Sequence, residues 1–181
     1  MMVLAQSELF DHFQTAVDDA GAGLPLSEDI RLYLTWLLVE RVRSDRKTYE
    51  EDTLAELYGR ANRTSSTYAA AVYRELGDRA LYVVGFFPES LDRSLVGTTY
   101  YIDMGSAAYY RAHQWMSTVF GSTFVDMATK FEDCVVLLET VRGKEDDLEA
   151  LYDQWVENPS EAAEKRLRRA GLVLPPKRSL D

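Results

Sequence analysis

LGDRALYVVGFFPESLDRSLVGTTYYIDMGSAAYYRAHQWMSTVF, residues 76–120, is the most aromatic and least charged stretch of the chain. From Ser94 to Phe120 its only formal charges are Asp103 and Arg111. A helix that is apolar on nearly every side needs neighbours on several sides, so the segment at about 96–119 reads as a long, buried central helix. Tyr101, Met104, Gly105, Ala108, Ala112, Trp115 and Val119 fall on one stripe of it. Ile102, Tyr109, His113 and Met116 fall on a second. Gly105, Ala108 and Ala112 form a smooth groove where another helix can approach closely.

The flanking segments read as amphipathic helices that sheathe this one. Immediately upstream, Gly77-Asp78 reads as a helix stop followed by a cap, or alternatively as a kink in a helix that continues, residues 79–87 read as a short helix, and Pro88 as a turn that opens another small one. Downstream, Gly121 breaks the chain. Phe124, Met127, Ala128, Phe131, Cys134, Val135, Leu138 and Val141 then give the cleanest apolar stripe in the sequence. Gly143 reads as the end of that helix. Leu148, Leu151, Tyr152 and Trp155 mark the next one, which Asn158-Pro159 stops. Ser160 caps a last helix to about Ala170, with Gly171 as its C-cap and residues 172–174 docking on the body.

Toward the N-terminus, Leu9, Phe13, Ala16, Val17 and Ala20 share one helical face. Ser27 caps a second helix to about Arg43, apolar on two sides through Ile30, Tyr33, Leu34, Leu37 and Leu38 and through Leu32, Trp36 and Val39; it reads as largely buried. Leu54, Leu57, Tyr58 and Ala61 mark a short helix, and Tyr68, Ala71, Val72 and Leu76 the one after it. The fold class expected is all-α: a single-domain bundle of seven to nine helices spanning residues 1–174, with residues 175–181 as a loose C-terminal tail.

Composition narrows the function. With 181 residues and a net charge of −10, the surface repels nucleic acid, whose non-specific binding depends on Lys and Arg against phosphate. The single cysteine, Cys134, allows neither an intrachain disulfide nor a cysteine-based zinc site, which suits a reducing compartment. MMVLAQSELFDHF has no basic leader, because Glu8, Asp11 and His12 interrupt any apolar run, and no charge-free run reaches membrane-spanning length. The expected setting is cytoplasmic.

Catalytic patterns are missing. A di-iron bundle needs Glu-x-x-His pairs, but Leu9 and Tyr110 stand three residues before His12 and His113. There is no H-E-x-x-H, G-x-S-x-G, Walker loop or G-x-G-x-x-G, and no cofactor or metal is expected. His113 reads as a core histidine, His12 as a surface one and Cys134 as inert packing. Asp78, Arg79, Arg93, Asp103 and Arg111 lie close to apolar sequence, where charges need partners; they read as an ion-pair network or as a polar patch for a ligand or peptide. The basic run of Lys165, Arg166, Arg168, Arg169, Lys177 and Arg178 reads as a solvated helix face and tail, or as a contact for an acidic patch on a second copy or partner. The candidate ligand- or partner-binding set is Asp78, Tyr82, Phe86, Phe87, Arg93, Tyr101, Met104, Tyr109 and His113.

Gly77-Asp78, Leu81-Tyr82, Gly85-Phe86-Phe87-Pro88-Glu89, Tyr100-Tyr101, Met104-Gly105 and Ala108-Tyr109 make a pattern, GD-x-x-LY-x-x-GFFPE followed by YY-x-x-MG-x-x-AY. It resembles one in a group of short, all-helical bacterial proteins of unassigned activity. Trp155 with Ser160, Ala163, Leu167 and Gly171 is similar to their C-terminal end. The resemblance implies that the central stretch is one structural unit; it brings no catalytic assignment and no function with it. The expected function is a non-catalytic interaction or accessory protein, homodimeric, acting through protein–protein or peptide contacts. The alternative is a carrier of an apolar or aromatic small molecule, held in a cavity lined by Tyr82, Phe86, Tyr101, Met104 and Tyr109. An enzyme using tyrosine or acid residues, third in order, needs a close carboxylate pair facing a cleft.

Overall fold

A computed structural model describes residues 6–43, 53–63, 67–91, 96–116, 121–157, 160–170, 172 and 174. Among these residues it is all-helical, with nine helices: α1 (Gln6–Ala20), α2 (Glu28–Arg43), α3 (Leu54–Asn62), α4 (Thr67–Phe86), α5 (Pro88–Leu91), α6 (Thr98–Trp115), α7 (Gly121–Thr129), α8 (Phe131–Glu157) and α9 (Glu161–Arg169). Polar caps start several of them. Thr53 and Glu56 form a reciprocal capping box at α3, and the Ser160 hydroxyl accepts from the Ala163 N–H at α9. After α1, Gly23 takes φ +87°, which an L side chain rarely adopts, and the chain reverses into α2.

Gly143, expected to stop a helix, does not: α8 runs through it. At Gly77-Asp78 the chain takes the alternative of continuation, and α4 runs from Thr67 to Phe86. Lys130, a single turn residue, divides α7 from α8 instead. At position 77 the glycine serves contact: a Cβ there would meet the Tyr109 ring at 2.7 Å. Gly85 likewise admits Leu138, and Gly105 admits the Phe131 ring. A mid-helix glycine costs up to about 1 kcal/mol of propensity, which close packing offsets. Gly143 has no such reason, since a Cβ there meets nothing within 4 Å. Gly143→Ala is therefore expected to stabilise the protein by about 0.5–1 kcal/mol in urea titration. A loss of stability would show that α8 is not continuous at this point.

These contacts also give the helix directions. Gly77 meets Tyr109 and Gly105 meets Ala80, so α4 and α6 run antiparallel; Phe131 beside Gly105 and Leu138 beside Gly85 make α8 run in the same sense as α4. Tyr109 stands where five helices converge. From α6 its ring lies against Gly77 of α4, edge-on to Tyr33 of α2, stacked on Phe124 of α7 and tilted against Phe131 of α8.

α8 packs against five helices, α1, α4, α6, α7 and α9, and α4 against four, α3, α5, α6 and α8, whereas the main contacts of α6 are with α4, α7 and α8. This corrects the expectation of a buried central helix at 96–119. α6 fully buries only Gly105, Ala108, Tyr109 and Ala112, while Asp103, Tyr110, Arg111, Gln114 and Trp115 are exposed. Tyrosine and tryptophan carry a polar atom on an apolar ring and settle at a surface as readily as in a core, so aromatic density overstates burial. Residues 117–119 of that segment lie outside the described residues.

A second, smaller apolar cluster lies at the C-terminal end. Trp155, Ala163, Leu167, Leu172 and Leu174 bury one another, with Leu148, Leu151 and Tyr152 half-buried alongside. Leu172 and Leu174, expected to dock on the body, instead bury themselves in this second cluster; Gly171, Val173 and residues 175–181 lie outside the described residues. Among the described residues no helix is long and apolar enough to cross a membrane.

Candidate functional site

Asp78 occupies the middle of α4 and is only 4% exposed. Its Oδ1 accepts two hydrogen bonds, from the Tyr33 hydroxyl of α2 at 2.7 Å and from the Tyr109 hydroxyl of α6 at 2.8 Å. Arg74, one turn earlier on α4, brings Nε to 4.0 Å from Oδ2. Burial dominates and pushes the Asp78 carboxyl up to about 6; the two hydroxyls, Arg74 and Arg41 pull the other way. Burial, followed by the Asp78 charge, also holds the Tyr33 and Tyr109 phenols well above their ordinary range, so both remain donors. Neither of the two hollows described below is lined by Asp78. Its chemistry is to lock three helices at one point.

Arg41 extends this polar seam outward. Its side chain is nearly buried, with Nη2 at 3.3 Å from Glu75 Oε1 and the guanidinium 5.8 Å from the centre of the Tyr82 ring. Tyr82 stacks on Phe86, centroids 5.0 Å apart, and meets Phe87 edge-on at 5.6 Å. From α8, Arg142 Nη1 donates to the Phe86 carbonyl at 3.3 Å and to both Glu89 carboxylate oxygens at 2.9 Å. Pro88 turns the chain between these aromatics and α5, and it leaves Phe87 48% exposed.

The candidate residues thus fall into separate places. Asp78 and Tyr109 meet in the core, and Tyr82, Phe86 and Phe87 meet at the surface. Tyr101 lies edge-on to Tyr100, Met104 is half-buried against the main core, and His113 Nδ1 donates to the Gly121 carbonyl at 2.7 Å, tying α6 to α7. Arg93 lies outside the described residues. Of the charges expected to form a network, Asp103 and Arg111 are exposed and Arg79 is half-buried. Cys134 is buried, and burial pushes its thiol up to about 12, which leaves it unreactive.

Beside α1 lie two hollows of the described surface. One, of about 460 Å³, lies against α8 and includes His12, Thr15, Lys144, Glu145 and Leu148; the other, of about 340 Å³, lies against α2 and includes Asp18, Asp29, Arg31 and Leu32. Neither is lined by Tyr82, Phe86, Tyr101, Met104 or Tyr109. Among the described residues no group of three His, Cys, Asp or Glu side chains could hold a metal ion.

No family model, curated protein or solved structure matches the chain. Its function has to be argued from its own residues.

Several informative side chains escaped the sequence reading. Tyr33 was assigned to an apolar stripe, and nothing in spacing links it to Asp78, 45 positions away. His12, expected at the surface, is half-buried against Glu145, 133 positions away. Trp36 and Leu32, expected inside a largely buried helix, are 47% and 44% exposed, with Phe10 packed on Trp36. Helical spacing did carry a signal here: 29, 32, 36, 40 and 43 form one exposed stripe whose other members are Asp29, Glu40 and Arg43.

Proposed function

We propose that this protein is a non-catalytic interaction module that receives a protein partner on the surface formed by Tyr82, Phe86 and Phe87. The observation that carries the reading is an aromatic cluster in mutual contact with Phe87 half in water. Aromatic anchors of this kind dominate binding energy at protein interfaces. The rings are also held in place beforehand, by Arg41 over Tyr82 and by Arg142 on the Phe86 carbonyl, which lowers the entropic cost of binding. The one strongly perturbed buried acid, Asp78, is spent on helix packing, and this favours a binding role over a catalytic one. A second copy of the chain is the partner that the homodimer reading names. The lone, buried thiol suits a cytoplasmic setting.

The test places a photoreactive residue at position 90, exposed beside Phe87, and the same residue at the exposed position 103 as a control. Irradiation in the native host is expected to yield a discrete protein adduct from position 90 alone. Phe87→Ser should abolish that adduct while changing stability by no more than about 0.5 kcal/mol, since the ring is a surface one. Equal labelling from both positions, or an adduct indifferent to Phe87→Ser, would remove this reading.

A further inference from the structure

The C-terminal half of α8 leaves the main core. Its last fully buried residue there is Val141, and the next is Trp155 in the second cluster; residues 142–154 bury no side chain fully. At 1.5 Å per residue this stretch reaches about 20 Å. Together with α9 it forms an arm whose apolar cluster is its own. At its base Arg142 holds the Phe86 carbonyl and Glu89, and beyond it polar contacts tie the arm to α1. His12 Nε2 stands 2.8 Å from Glu145 Oε1, Lys144 Nζ is 3.5 Å from Asp19 Oδ2, and Ala170 at the end of α9 lines the same hollow as His12.

We propose that His12 is a pH-sensitive latch which, when protonated, fastens the arm of residues 142–174 to α1 and, when neutral, releases it. Protonation turns the His12–Glu145 contact into a charge-assisted hydrogen bond, roughly twice as strong as the one a neutral imidazole makes. Charge acts in the same direction. The hollow around His12 is lined from α1 by Glu8, Asp11 and Asp19 and from α8 by Lys144 and Glu145. Lys144 is engaged by Asp19, so loss of the His12 charge takes from Glu145 the cation at 2.8 Å and leaves it on a hollow shared with the α1 acids. The hydrogen bond to Glu145 is the largest influence on the ring and raises its pKa against the opposing effect of burial, with Glu145's charge and the Ala170 backbone adding to the rise. The folded state therefore favours the proton. The latch is fully closed below the ordinary histidine range and opens as the pH rises through the raised value.

The experiment is amide hydrogen exchange on the full chain between pH 5.5 and 8.5, expressed as protection relative to the intrinsic rate, with the His12 ring followed by NMR. Protection of residues 164–170 is expected to fall about fivefold with the same midpoint as the His12 signal, while α4 stays unchanged. His12→Gln should make arm protection independent of pH, and so should Glu145→Gln, which covers the case where one variant misfolds. Arm protection that does not follow the His12 titration in the wild type, or that follows pH equally in both variants, overturns the latch.

Discussion

Tyr109→Ala is expected to cost about 4–6 kcal/mol, the largest effect of any single truncation in this core. The ring is wholly buried where α2, α4, α6, α7 and α8 converge, and deleting a buried aromatic removes about 3–5 kcal/mol through lost transfer energy and the cavity left behind. Asp78 also loses one of its two donors, which adds about 1–3 kcal/mol, less whatever collapse of the site restores. Since small proteins hold only about 5–15 kcal/mol in total, this variant should be near or past unfolding at room temperature. Tyr109→Phe separates the two contributions. It keeps the ring and removes the hydroxyl, and should cost about 1–2 kcal/mol. Urea denaturation of both variants checks the argument, and a Tyr109→Ala cost below about 2 kcal/mol would mean that the five helices do not meet on this ring.

The second large effect is on pH dependence. Asp78 sits at about 6 in the folded protein against 3.8 for the free carboxyl, because burial penalises its charge more than the tyrosines and arginines favour it. A carboxyl raised on folding binds its proton more tightly in the native state. Its contribution to stability is full below about pH 4 and is lost as the pH rises through about 6. A difference of about two pH units corresponds to roughly 3 kcal/mol. Asp78→Asn removes the titration while keeping an oxygen that can accept from Tyr33 and Tyr109. The stability of wild type minus that of Asp78→Asn should therefore fall by roughly 3 kcal/mol between pH 4 and pH 7, measured by urea titration at each pH. A difference that is flat, or that rises with pH, would mean that the tyrosines and Arg74 outweigh burial.

Most helices are legible from periodicity and caps. Leu9, Phe13, Val17 and Ala20 announce α1, Ser27 opens α2, and Ser160 opens α9, because amphipathic spacing and cap chemistry are local properties of the chain. Glycine misled at 143 and left two readings open at 77. The same residue ends a helix, admits a neighbour's ring or merely sits in open space, and only the neighbour tells these apart. Within the candidate set, Tyr82, Phe86 and Phe87 are grouped by sequence proximity and do meet. Asp78 was read as a helix cap, because its tyrosine partners come from two other helices.

What the sequence alone determined is the all-helical class and the apolar face of most helices, since hydrogen bonding within a segment and the 3.6-residue repeat need no distant partner. Tertiary structure alone decided that α4 and α8 touch more helices than α6, that Trp36 faces water, that Asp78 is buried between two phenols and that His12 grips Glu145. Each of those outcomes depends on which surfaces meet across tens of residues, and burial and charge pairing are properties of the meeting, not of either segment.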